Sequence, residues 1–264
     1  MRPSFLERIV ANKKKEVQEA RERIPENQLL AAAGAVKERL SLARALQGSG
    51  VNIIAEIKRA SPSKGLFQPH LDAAQLAMSY EGAGASAISV LTDHPFFQGS
   101  PEDLMAAKKT TGLPILRKDF LVSSYQVMEA AAWGADAVLL IARILSPDQI
   151  RDYLSLCSEF SMEALVEVHT EADLKKVQPF EPVLIGINNR DLTTFETDIQ
   201  RAMDLVQCLT PGQIPVAASG IANPDDVRRN LANGITNFLV GESLVRADNV
   251  RAHMETLRAA RGDA

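Results

Sequence analysis

The stretch Ile53-Ile54-Ala55-Glu56-Ile57-Lys58 sets an acid and a base two residues apart at the end of an apolar run. Side chains two apart on a strand share a face, so Glu56 and Lys58 are expected side by side where such a strand ends. Other apolar runs finish the same way: one in Lys118, one in Glu167, and one in Asn188 with Arg190 just beyond. Two carboxylates and two lysines in one pocket supply what proton transfer needs, namely groups whose pKa values neighbours can push apart. Taken singly, a strand-end charge that merely reaches solvent is as good a reading. Gathered at one mouth, each would cost several kcal/mol in desolvation unless paired or used.

A second feature is anion chemistry. Ser219-Gly220 and Gly241-Glu242 follow two late apolar runs, and glycine there lets the backbone and helix N-termini approach a phosphate closely. Ser61 and Ser63 are candidate hydroxyl donors to the same group. Phe97, Phe120, Leu139 and Leu192 lie near the same run ends; such residues are usually core, but here they also suit the walls of an aromatic substrate's pocket. The four histidines, His70, His94, His169 and His253, show no ligand spacing, so no metal is expected. His169, beside Glu167, is expected to play a structural role.

These residues need elements to position them. Eight short apolar runs recur, at 51–58, 86–91, 113–118, 136–141, 162–168, 183–188, 214–218 and 237–240, with helical stretches between them. Ser100-Pro101, Ser146-Pro147 and Asn223-Pro224 each offer an N-cap and a proline at N1, followed by first-turn acids. Gly84-Ala85 and Gly134-Ala135 suit helix C-caps that turn the chain into the next strand. Eight repeated strand–helix units without an edge-strand signal predict an α/β fold, a single (β/α)8 TIM barrel, whose chemistry sits at the C-terminal strand ends. The opposite strand ends read as apolar or small. Residues 1–48 precede the first strand and form a helical N-terminal extension, with Phe5, Leu6, Ile9 and Val10 on one face, so that 1–264 is expected to be one barrel domain. Lys13-Lys14-Lys15, among Glu7, Glu16, Glu19 and Glu22, reads as a solvated helix face.

Composition excludes several classes. The 264 residues are 46% hydrophobic with 15 Gly, 13 Pro and a net charge of −4, which gives no reason to expect nucleic acid or a membrane as partner. Cys157 and Cys208 form no C-x-x-C pair, which fits a reducing cytoplasm. The charged N-terminus lacks a signal h-region, and no apolar run approaches the roughly 18 residues of a membrane helix.

AEIKRASPSKG (55–65), LTDHPFFQGSPEDL (91–104), LRKDFLVSSYQVMEA (116–130), GADAVLLIA (134–142), LVEVHTEADL (165–174), IGINNRDLTTFETD (185–198) and FLVGESLVR (238–246) together resemble the indole-3-glycerol-phosphate synthase family over nearly the whole chain. The resemblance implies a tryptophan-pathway lyase. Its reaction closes the ring of 1-(2-carboxyphenylamino)-1-deoxyribulose 5-phosphate with loss of carbon dioxide and water, without a cofactor. It implies Lys118 as the acid, Glu167 as general base, and Lys58 with Glu56 serving the substrate carboxylate and the later dehydration. Asn188 and Arg190 match positioning groups; Ser61, Ser219, Gly220, Gly241 and Glu242 match the phosphate cradle; Phe97, Phe120, Leu139 and Leu192 match the apolar walls. A small-molecule sugar phosphate is the expected partner, and association with other tryptophan-pathway enzymes is allowed.

One departure stands out. The family commonly has Glu directly before Ser-Gly-Ile, where this chain has Ala218. An engineered substitution, a natural variant with compensation and a paralogue of weakened activity are all open readings. The alternatives in function are a catalytically impaired homologue that binds the phosphate ligand, and a different phosphate-binding barrel such as the isomerase of the preceding step, against which EIKRASPSKG and LRKDF speak.

Overall fold

The eight apolar runs are the eight strands of a closed parallel barrel. In the computed structural model, which describes residues 4–36, 38–62, 64–191 and 193–260, they are β1 (Asn52–Ile57), β2 (Ala87–Leu91), β3 (Ile115–Lys118), β4 (Ala137–Ile141), β5 (Glu163–Val168), β6 (Leu184–Asn188), β7 (Ile214–Ala218) and β8 (Asn237–Val240). Each pairs in parallel with its sequence neighbours, and β1 closes on β8 with Ala55 opposite Val240. Ser63 and Leu192 lie outside the described residues. A two-stranded hairpin, Ala60–Ser61 with Gly65–Leu66, stands on the loop after β1.

The period of two sorts side chains between two layers. Ile54, Leu116, Leu165, Leu184, Val216 and Leu239 fill the barrel interior, while Ile53, Ala55, Ile57, Val166, Val168 and Phe238 face the surrounding helices. Two residues beyond the interior apolar layer come Glu56, Lys118, Glu167, Ala218 and Gly241. The sequence therefore swaps a hydrocarbon layer for a polar one within a single pleat, at the end where the strands stop.

Helix boundaries follow the capping residues. Ser100, Ser146 and Asn223 each accept a backbone N–H of the first turn with proline at N1 or N2. Gly84 and Gly134 have φ of +87° and +86°, the left-handed geometry that ends a helix at low cost for glycine alone.

The N-terminal arm consists of α1 (Phe5–Arg23), α2 (Glu26–Ala35) and the short α3 (Leu42–Ala45). Leu6, Ile9, Leu42 and Leu46 join the apolar cluster of the barrel interior. Two expectations need correction here. Lys14 and Lys15 are exposed, but Lys13 is only 2% exposed, because it falls four residues from both Ile9 and Val17 on the buried face. Its Nζ lies 2.8 Å from Asp93 Oδ1, 3.0 Å from Asp119 Oδ1 and 2.7 Å from Glu16 Oε2. The strand starts are also more polar than expected. Asn52 and Asn237 are buried and hydrogen-bonded to each other at 2.9 Å, and Glu163 accepts from Ser41 Oγ and Ala43 N of the arm. Among the described residues, no helix is long and apolar enough to cross a membrane.

Candidate active site

A cavity of about 600 Å3 opens at the C-terminal ends of the strands, and Glu56, Lys58, Lys118, Glu167, Asn188 and Arg190 all line it. The charges are paired. Lys58 Nζ is 2.7 Å from Glu56 Oε1, and Lys118 Nζ is 3.9 Å from Glu56 Oε2, so one carboxylate serves two lysines. Burial is the strongest influence on Glu56 and works to raise its pKa. Lys58, then Lys118, and more weakly Arg190 together outweigh it and hold the carboxyl below its ordinary range. Across the mouth, Asn188 Nδ2 donates to Glu167 Oε1 at 3.1 Å, and the Arg190 backbone N–H donates to Asn188 Oδ1 at 3.0 Å.

Lys118 stands between two anchored neighbours. Arg117 points outward, donates to the Gln126 carbonyl at 2.6 Å, lies 3.1 Å from Asp119 Oδ2, and stacks over Trp133 at 4.2 Å. Burial works to raise the pKa of Asp119, but Lys13 and Arg117 overcome it and hold the carboxyl far below its ordinary range. The end of β3 is thus fixed on both sides of the lysine that enters the cavity.

The opposite rim is suited to an anion. Ser219, Gly220, Gly241, Glu242 and Ser61 line the same cavity. Ser219 and Gly220 adopt φ of +67° and +79° in succession, a strained geometry for serine that tends to persist at ligand sites. A Cβ on Gly220 would meet Thr197 Cγ2 at 2.7 Å. A Cβ on Gly241 would land on the Glu56 carboxylate and 2.9 Å from Lys58 Nζ, so this glycine also makes room for the strand 1 ion pair. Ser61 Oγ is buried without a hydrogen-bond partner among the described residues. The Glu242 carboxylate is held 3.8 Å from Arg190 Nη2 and 3.7 Å from Arg246 Nε.

Comparison with known proteins decides what this mouth belongs to. Residues 6–257 match the family model described as indole-3-glycerol phosphate synthase. The chain belongs to the indole-3-glycerol phosphate synthase family. Proteins of that name from Desulfosudis oleivorans and Syntrophobacter fumaroxidans are 50% and 48% identical to it. The matches cover 96% and 95% of this chain and 98% and 97% of theirs. One from Bordetella pertussis is 42% identical over 97% of this chain and 99% of its own. Likeness to a solved barrel of low sequence identity shows the fold alone. 3-Hexulose-6-phosphate synthase from Salmonella typhimurium aligns with a TM-score of 0.64 at 12% identity, over 80% of this chain and 98% of its own.

Of the site residues expected from the family's motifs, most converge on the cavity. Phe97 lines it, but Phe120 and Leu139 are buried in the interior apolar cluster, Phe120 lying 6.1 Å from Phe97 ring to ring. They support the wall rather than form it. Leu192 lies outside the described residues. Phe195, Thr197, Ser243 and Arg246 also line the cavity and were not foreseen. Arg246 had a signal, since it sits four residues from Glu242 in a helical stretch. Phe195 had none, because its place depends on Phe5 of the arm, whose ring is 4.9 Å away.

Proposed function

We propose that this chain converts 1-(2-carboxyphenylamino)-1-deoxyribulose 5-phosphate to indole-3-glycerol phosphate, releasing carbon dioxide and water, as a carbon–carbon lyase of the carboxy-lyase class in tryptophan biosynthesis. The observation that carries this reading is a mouth joining two carboxylates and two lysines to an anion-binding rim, within a family match of nearly full length. Lys118 gives its proton to the ribulose carbonyl oxygen as the aromatic ring carbon attacks the carbonyl carbon. Loss of carbon dioxide from the attacking ring carbon restores the aromatic ring and leaves the new carbon–carbon bond in place. Glu167, held by Asn188, then takes the proton from the substrate carbon bonded to nitrogen, and Lys58 gives a proton to the departing hydroxyl so that it leaves as water. Lys58, paired with Glu56, faces the substrate carboxylate and serves the dehydration, and Arg190 positions the substrate beside Asn188. Ser61, Ser219, Gly220, Gly241 and Glu242 take the phosphate, the last four through backbone N–H groups. Phe97 walls the aromatic ring, backed by Phe120 and Leu139.

The whole chain acts as one catalytic unit in the cytoplasm on this reading, with its N-terminal arm bracing β3 through Lys13. One observation favours a second reading. Ala218 lines the cavity where the family pattern has a carboxylate, and it is 4% exposed, which suits a ligand-binding homologue of reduced activity. Incubating the purified protein with the substrate and following the indole chromophore separates the two. Many turnovers support the enzyme, whereas tight binding without product supports the second reading.

A further inference from the structure

We infer that His169 is a positioning residue for the reaction proposed above, holding the carbonyl of Asn188 and through it the Asn188–Glu167 contact; this rests on that functional reading. β5 ends at Val168, and its ladder with β6 ends at the pair Val168 and Ile187. One residue on, the His169 ring takes the place of the next rung. Its Nδ1 is 2.8 Å from the Asn188 carbonyl oxygen, and its Nε2 is 3.0 Å from Asp191 Oδ2. The side chain is 10% exposed. With its proton on Nδ1 the ring donates to the Asn188 carbonyl and bridges the gap between the two strands, beside Glu167 on one and Asn188 on the other.

The bridge is itself held in place. The His169 backbone N–H donates to Asp173 Oδ2 at 3.2 Å. Asp191 accepts from the N–H groups of Thr193 and Thr194 at 2.6 and 3.1 Å and lies 3.4 Å from Arg143 Nη1. Asn188 is therefore gripped at its carbonyl by His169, at Oδ1 by the Arg190 N–H, and at Nδ2 by Glu167. Releasing the carbonyl lets the end of β6 shift, and a shift of about 1 Å at a reacting group is enough to cost roughly 100-fold in rate.

Amide isosteres separate positioning from bulk stability. The Asn side-chain NH2 overlays Nδ1 and keeps the donor to the Asn188 carbonyl, whereas that of Gln reaches the Nε2 position and keeps only the Asp191 contact. His169→Ala is expected to lower kcat by about 10- to 100-fold with KM changed less than about threefold. His169→Asn is expected to recover most of that loss and His169→Gln little of it. Should the Ala variant fail to fold, the Asn and Gln variants still make the comparison. A kcat within twofold of the parent for folded His169→Ala, equal recovery by Asn and Gln, or a loss confined to KM would each overturn the inference. An active parent with unaffected variants sinks the inference alone. A parent that forms no indole product sinks the functional reading, and the inference with it.

Discussion

Ala218→Glu should raise kcat about tenfold. The residue ends β7, faces the cavity and stands opposite Asn188 in the β6–β7 register. Glu56 is shared by Lys58 at 2.7 Å and Lys118 at 3.9 Å, so the lysine assigned as the acid has only the looser half of one carboxylate. A second carboxylate at about 4 Å offers a gross attraction of about 4 kcal/mol at an effective dielectric of 20. Desolvating it where Ala218 is 4% exposed takes back several kcal/mol. A remainder of about 1.4 kcal/mol, expressed in the transition state, is a factor of 10. The assay is indole formation at saturating substrate, with Ala218→Gln as the uncharged control of the same shape. Stability should fall or stay level, since the new charge loads the folded state. A kcat for Ala218→Glu equal to or below the parent's would refute the reasoning, and the impaired-homologue reading would lose its one support.

Lys118→Met and Glu167→Gln should each lower kcat by about 100-fold or more, the usual scale for a positioned acid or base, with substrate affinity less affected; single-turnover kinetics of each variant checks this. Gly220→Val should raise KM, because its left-handed backbone and the closeness of Thr197 leave no room for a β-branched side chain, and inorganic phosphate should compete with substrate in the parent. The depressed pKa of Glu56 means its ionised pairing stabilises the fold above the ordinary carboxylate value of about 4.3 and is lost as pH falls through the lower folded value. Denaturant unfolding should therefore show the parent's advantage over Glu56→Gln full at neutral pH and shrinking below about pH 4. Lys13→Met should cost about 3–5 kcal/mol in the same assay, since it strips buried Asp93 and Asp119 of a cation; a loss under about 1 kcal/mol would mean that Arg117 suffices for Asp119 and the Phe96 N–H for Asp93.

The barrel was legible because every strand ends within two residues of its apolar run and most helix starts carry their own capping signal. The charged groups of the cavity were legible for the same local reason: Glu56, Lys118 and Glu167 each follow a core residue by one pleat. What escaped depends on partners far along the chain. Lys13 shares a helix face with Ile9 and Val17, which the sequence does display, but its partners Asp93 and Asp119 are brought to it only by the fold. Surrounded locally by glutamates, it passed for a surface charge. His169 needs the Asn188 carbonyl, a group that no side-chain pattern reveals. Leu139 sits opposite Leu165, one layer below Glu167, and Phe120, two residues past the end of its strand, turns into the apolar cluster, so neither lines the cavity.

The meeting of β1 with β8 bears on how the protein comes into being at the ribosome. The Glu56–Lys58 pair emerges early, on a strand whose hydrogen-bonding edge has no β8 to join until nearly the whole chain has been translated. The glycine that gives this pair its space, Gly241, arrives later still. Until then the nascent polypeptide carries an open sheet edge of the kind that invites pairing with other chains. Synthesis therefore delivers the catalytic mouth in one late event, when the last strand docks beside the first.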